Sequence, residues 1–373
     1  MATAKSYISG NRDGRQSLVV IFLRGGADGL SLVAPVKDDE YHKARPRIAV
    51  SKDDAVQLDD FFGLYPLLKE LGPIYKDGTL AIVHAVGSED NTRSHFDAQD
   101  LMEHGGIVAG GWLGRFLRSR TGSTSSELAA VAVGKELPEC LRGAPSATVL
   151  QSLDEFSWPA SGSMARELER LYAAEQDALG QAARNTFDAL RRIESLRSTP
   201  YRPEHGAEYE NDDFARGLMQ VARLIKARVG LEAASIDLGG WDSHFVQQSI
   251  MDPLTVRLSK GLAAFHRDMG REMDTTTVVV MTEFGRRVSE NASFGTDHGR
   301  GSVMFVLGGG IHGGRVLGRW PSLKSDSLEG PGDLPVTTNY RNVLASILAR
   351  GGAGEQLDAI FPGFSIDPVA LYA

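Results

Sequence analysis

Around residue 240 the chain reads Gly239-Gly240-Trp241-Asp242-Ser243-His244, an aspartate and a histidine two positions apart behind a glycine pair. In extended backbone, alternate side chains share a face, so Asp242 and His244 can address one cation. The competing reading makes Asp242 or Ser243 a helix N-cap, with His244 in the first turn. Downstream, Thr282-Glu283-Phe284-Gly285-Arg286-Arg287 puts a carboxylate just past an apolar run. Thr296-Asp297-His298-Gly299-Arg300-Gly301 puts an imidazole just before another such run, a poor place for a core histidine. Upstream, Asp28 sits in Gly25-Gly26-Ala27-Asp28-Gly29, where Asp-Gly equally spells a turn. Oxygen and imidazole ligands without thiolates favour zinc, manganese, calcium or magnesium over a softer ion.

A hydroxyl joins this set. In Thr92-Arg93-Ser94-His95-Phe96-Asp97, Ser94 opens a helical pattern. There a nucleophilic oxygen would meet free backbone N–H groups and the positive end of the helix dipole. An ordinary N-cap is the other reading of Ser94. Arg93 beside it is suited to hold a phosphate or sulfate oxygen.

These residues need a frame that delivers them to one edge. Leu18–Leu23, Leu80–Gly87, Leu128–Val133, Ala234–Leu238, Thr277–Met281 and Val303–Leu307 are short continuous apolar runs, the pattern of buried parallel strands. Helical patterns over Asp97–Glu103, Asp252–Met269 and Asn339–Arg350 lie between or after them, the last closing on Gly351-Gly352. Alternating strand and helix predicts a doubly wound, mostly parallel α/β sheet, with residues 17–373 as a single domain. The middle of the chain breaks the rhythm. Met164, Leu168, Leu171, Leu179, Phe187, Leu190 and Ile193 hold helical spacing, Pro200 and Pro203 interrupt it, and Phe214, Leu218, Val221 and Ile225 resume it. This predicts an antiparallel helical hairpin inserted at about 155–230.

Composition sets the bounds. The 373 residues are 42% hydrophobic and 24% charged, enough for a large core. The net charge of −8, with no basic stripe, argues against a nucleic-acid partner. Cys140 is the single cysteine, which excludes an intrachain disulfide or a thiolate cage. Many of the 42 glycines follow apolar runs, suggesting backbone loops built to approach a ligand. No apolar run reaches membrane-spanning length. Residues 1–16 are polar and small and read as a flexible lead-in.

The strings FLRGGADGL, RSHFDAQD, GGWDSH, TEFGRR and TDHGRG closely resemble the family labelled domain of unknown function 1501, from about residue 17 to the C-terminus. That family looks like a distant branch of the alkaline phosphatase and sulfatase superfamily. The resemblance implies an α/β sheet of the alkaline-phosphatase type carrying one or two divalent metal ions. By it, Asp28 is the first-strand metal ligand and Ser94 takes the nucleophile position. Asp242, His244 and His298 look like ligands of the other metal. Glu283 falls where the superfamily has Asp followed by His, and the missing histidine is replaceable by His95. Arg93, Arg286 and Arg300 are implied to neutralise developing charge. Formylglycine sulfatases need Cys or Ser in Cys/Ser-x-Pro-x-Arg, which neither Cys140 nor Ser94 satisfies. The expected chemistry is therefore hydrolysis of a phosphate ester in preference to a sulfate ester, by Ser94 or a metal-bound water. The alternative is an exported, non-catalytic scaffold with a structural metal. An acyl hydrolase is disfavoured by the absence of a Gly-x-Ser-x-Gly elbow. Family members often carry a twin-arginine export leader, so a periplasmic or exported location is expected.

Overall fold

The computed structural model describes residues 16–120, 126–154, 163–173, 175 and 177–372. The apolar run after the lead-in forms β1 (Ser17–Arg24), followed by the short helix α1 (Gly29–Leu32). A small three-stranded sheet is built from β2 (Val33–Ala34), β3 (Val56–Gln57) and β4 (Gly63–Leu64), with α2 (Asp39–Ala44) between the first two. After α3 (Leu71–Lys76) come β5 (Leu80–Gly87), α4 (His95–His104), α5 (Trp112–Ser119), β6 (Ala130–Val133) and β7 (Thr148–Leu150). Three helices follow: α6 (Ser163–Ala173), α7 (Ala178–Arg197) and α8 (Asp213–Lys226). The second half holds β8 (Ala233–Gly239), α9 (Gln247–Met269), β9 (Thr276–Met281), β10 (Ser302–Gly308), β11 (Arg315–Leu317) and β12 (Thr338–Asn339). The chain closes on α10 (Tyr340–Leu348) and α11 (Leu357–Ile360).

Nine of these strands make the main sheet, in the order β11-β5-β10-β9-β1-β8-β6-β7, with β12 also on β5. Only β10 runs antiparallel to its neighbours β5 and β9; every other pairing in this sheet is parallel. Both faces are buried, which is why the strands read as unbroken apolar runs. On β1, Val19, Ile21 and Leu23 pack with Leu71 of α3, Leu218 of α8 and Leu258 of α9. Leu18, Val20 and Phe22 face the other way, toward Met102 of α4, Phe116 of α5 and Leu344 of α10. This is the doubly wound, mostly parallel α/β fold that the sequence predicts. Asn339 caps α10 by accepting from Arg341 N.

The middle of the chain differs from expectation. The antiparallel hairpin forms within the first helical stretch, between α6 and α7. The third helix, α8, is not its partner: it packs on α9 and β8, with Phe214, Leu218 and Val221 in the sheet's core. An apolar stripe states that a helix has a buried face but not which surface buries it. Residues 155–162, where the insertion was expected to begin, lie outside the described residues, as do residues 1–15 of the lead-in.

Candidate metal centre

In a parallel sheet the loops after the strands gather at the C-terminal edge, where ligands of open α/β sheets bind. The loops after β1, β5, β8 and β9 meet there. Because β10 is antiparallel, its start reaches the same edge, so His298 precedes its strand while the other candidates follow theirs.

Three side chains converge. Single donor atoms of His95, Asp242 and His298 all lie within 4.8 Å of one another. His95 Nε2 stands 3.5 Å from Asp242 Oδ2, and His298 Nε2 3.5 Å from Asp242 Oδ1. His244 stands beside this group, its Nε2 2.9 Å from His298 Nε2 and 3.2 Å from Asp242 Oδ1. A tetrahedral ion with bonds of about 2 Å needs donor–donor edges of roughly 3.3 Å. The two imidazole–Asp242 spacings of 3.5 Å are close to that value.

The far side of two of the rings fixes the tautomer. His95 Nδ1 lies 2.8 Å from Glu283 Oε1, His298 Nδ1 2.8 Å from the Arg93 carbonyl, and His244 Nδ1 3.4 Å from Asp297 Oδ1. The Glu283 and Arg93 oxygens are acceptors at close range, so in His95 and His298 the proton sits on Nδ1 and Nε2 points inward. His95 Nε2 is buried with no hydrogen-bond partner. Histidines backed by a carboxylate or carbonyl in this way are the usual metal ligands. The local charges agree. Burial pushes His298 below its ordinary value, helped by the Arg286 charge and the neighbouring imidazoles. Burial would raise Asp242, but the Arg286 hydrogen bond, 2.8 Å from its Oδ1, and charge hold it below the usual carboxylate range.

The remaining candidates serve other purposes. Glu283 is not among the converging donors. Its Oε1 accepts from Gly25 N (2.9 Å), Gln99 Nε2 (2.9 Å) and His95, and Oε2 from Thr282 Oγ1 (3.0 Å), so it orients His95. Burial raises this carboxyl, but the His95 and Gln99 hydrogen bonds outweigh it and the net shift is downward. Asp28 is fully buried and engaged elsewhere. Arg45 grips both of its oxygens at 2.5 and 3.0 Å, and Ser31 and Gln247 donate at 2.6 and 2.7 Å. A carboxylate so neutralised has no lone pair directed at the metal group, which corrects the expectation from the first strand.

The arginines are likewise in structural use. Arg93 is fixed by Asp333 at 2.5 Å and donates to the His298 carbonyl, clasping that residue from both ends. Arg286 is wholly buried and donates to the carbonyls of Gly26 (2.7 Å) and Thr296 (3.1 Å) and to Asp242. Arg300 pairs with Glu329 and donates to the Ser88 carbonyl at 3.1 Å. Ser94 is the N-cap of α4, its Oγ accepting from Asp97 N at 3.3 Å. The glycine loop is shaped by loop-on-loop packing: a Cβ on Gly25 (φ +118°) would lie 2.6 Å from Asp242 N, and one on Gly299 2.3 Å from the Arg286 carbonyl carbon. Sequence reading passed over Gln99, Asp297 and Arg45. Gln99 was within reach of it, four residues after His95 and so on the same helix face.

A family model described as "Protein of unknown function (DUF1501)" matches residues 15–353. A search of the curated proteins finds no match. Among solved structures, the C-terminal periplasmic domain of EcEptC from Escherichia coli, in complex with Zn, is 9% identical with a TM-score of 0.37, covering 80% of this chain and 74% of that one. An alkaline phosphatase superfamily protein from Vibrio parahaemolyticus is 11% identical with a TM-score of 0.35, covering 91% and 67%. The phosphonate monoester hydrolase of Agrobacterium radiobacter is 9% identical with a TM-score of 0.35, covering 81% and 70%. Likeness at this level concerns general layout alone. Among the described residues no helix is long and apolar enough to cross a membrane.

Proposed function

This chain belongs to the DUF1501 family, and we propose that it is a metal-dependent hydrolase of phosphate esters, in preference to sulfate esters, holding one divalent ion between His95, Asp242 and His298, with His244 beside it. One observation carries this reading: donor atoms of His95, Asp242 and His298 lie within 4.8 Å of one another while an oxygen acceptor at 2.8 Å holds the Nδ1 of both rings. Two nitrogens and one oxygen suit zinc better than calcium or magnesium, which prefer all-oxygen shells. When bound, such an ion supplies Lewis-acid polarisation of an ester oxygen and activates water at neutral pH.

The chain's own groups divide the remaining work. Arg286 keeps Asp242 anionic, while Glu283 and Arg93 aim His95 and His298. Asp242 and His244 leave the approach open, their side chains 46% and 39% exposed against 20% and 18% for His95 and His298. Attack by water is favoured over attack by Ser94. The serine hydroxyl caps α4, and among the described residues no basic side chain hydrogen-bonds to it.

A non-catalytic scaffold is the second reading, favoured by the engagement of Arg93, Arg286 and Arg300 in structural contacts. Structural metal sites are closed by protein ligands, however, and catalytic ones keep an open side. Three protein ligands leave a tetrahedral ion one position free, which supports the enzyme. Turnover of 4-nitrophenyl phosphate, bis(4-nitrophenyl) phosphate and 4-nitrophenyl sulfate by the zinc-loaded protein, beside His298→Ala, tests it. Metal-dependent release of nitrophenol from a phosphate ester is expected, and no turnover of any ester would leave the scaffold.

A further inference from the structure

A cleft of about 820 Å³ runs along the C-terminal ends of β1, β8 and β6, one residue away from the metal centre. Phe96, next in sequence to His95, stands on its lip with its ring 82% exposed. Arg24 in its wall donates to Gln99 Oε1 at 3.0 Å, and Gln99 in turn holds Glu283 behind His95.

We propose that this cleft seats the leaving-group side of the ester and that this group is an uncharged polyhydroxylated chain, a short oligosaccharide. The proposal rests on the hydrolase reading above. Size is the first argument. The volume lies toward the upper end of small-ligand sites, room for several units beyond the reacting group. Charge is the second. Each arginine lining the cleft is already paired: Arg24 with Asp237 and Glu103, both at 2.7 Å, Arg142 with Glu139 at 2.6 Å, Arg257 with Asp212 at 3.1 Å, and Arg216 with Asp213. Lys135, exposed in the same lining, is offset by the lining carboxylates Asp100 and Glu136, so a polyanion meets no net positive charge there. Paired guanidinium and carboxylate groups instead set donors beside acceptors, and a hydroxyl, which is both, matches either. The third argument is Phe96. A fully exposed aromatic ring beside a metal ligand gains from a partner with a flat apolar face, which the C–H side of a sugar ring supplies. A peptide would need apolar recesses for its side chains. Among the described residues, the cleft's exposed large apolar groups are Phe96 and Leu137.

The test is calorimetric titration with cellotetraose, maltotetraose and chitotetraose, and with a tetrapeptide of Ser and Gly, on the wild type, Phe96→Ala and His298→Ala. At least one tetrasaccharide should bind. Phe96→Ala should weaken it tenfold or more with an unchanged melting temperature, since the ring is exposed. His298→Ala, lacking its metal, should bind that sugar as the wild type does. Absence of sugar binding, tight binding by Phe96→Ala, loss of binding in His298→Ala, or binding of the peptide instead would each overturn the proposal. Sugar binding is read without turnover, so an inactive protein that binds the sugar rejects the hydrolase and keeps the cleft's ligand class.

Discussion

The Nε2 atoms of His244 and His298 face each other at 2.9 Å. The Arg93 carbonyl fixes the proton on Nδ1 of His298, so that ring presents its Nε2 lone pair. Burial and the Arg286 charge oppose protonation of His298 itself, so its lone pair is met by the Nε2–H tautomer of His244 or by a cation. A divalent ion would take this lone pair together with donors of His95 and Asp242, all within 4.8 Å of one another.

Glu283 acts through His95. Glu283→Gln replaces an oxygen facing His95 Nδ1–H or Gln99 with an amide donor and loosens the ring. A loss of about 10- to 100-fold in zinc affinity is expected, the usual effect of removing such a backing group. Competition against a chromogenic chelator reads it, and Gln99→Leu should show a smaller loss in the same direction. Unchanged affinity in Glu283→Gln would remove Glu283 from the positioning role.

Asp28 separates stability from metal binding. Its carboxylate and Arg45 form a fully buried pair, and removing one partner of such a pair costs about 3–5 kcal/mol. Asp28→Ala should therefore lower stability in denaturant titration by that order, yet keep full metal stoichiometry in the folded protein. Loss of metal with stability intact would return Asp28 to the ligand set.

Much of this was legible in the sequence, for a physical reason. Strands buried on both faces must be apolar throughout, so β1, β5, β8, β9 and β10 announce themselves, and the polar residues at their ends fall at one edge. Asp242, His244 and His298 could be singled out on that basis, and His95 through the family resemblance. Local sequence does not tell a carboxylate that binds metal from one that binds a guanidinium. Asp28 is decided by Arg45, and Glu283 by the His95 ring on α4, contacts that only the tertiary structure creates. The same limit applied to α8, whose apolar stripe fits a hairpin as well as the sheet it covers.

Ser94→Ala removes a helix cap and should cost about 1 kcal/mol. With water as the attacking group, the variant keeps most of the wild-type kcat on the phosphate ester. A drop of three orders of magnitude would instead assign the attack to the Ser94 hydroxyl.

His84 sets a pH dependence of folding away from the centre. Its Nε2–H donates to the Val33 carbonyl at 2.9 Å and its Nδ1 accepts from Ala85 N at 2.8 Å, so a second proton would face an N–H group. Burial lowers its pKa from the ordinary 6.5 to about 4. The unfolded chain then binds more protons between those values, so the stabilising contribution is complete above pH 6.5 and is lost as pH falls toward 4. The span is worth up to about 3 kcal/mol. Denaturant midpoints in the metal-free His298→Ala background should fall with pH over this range, and adding His84→Gln should flatten the fall. Equal slopes with and without His84 would contradict this.

The most direct test is the zinc content of the folded protein after exhaustive dialysis against metal-free buffer, measured by elemental analysis for the wild type and for His95→Ala, Asp242→Ala and His298→Ala. The geometry predicts one zinc per wild-type chain and a large loss in each variant, with circular dichroism showing the variants still folded. A wild type without bound metal after zinc loading, or variants that retain a full equivalent, would contradict the metal centre itself.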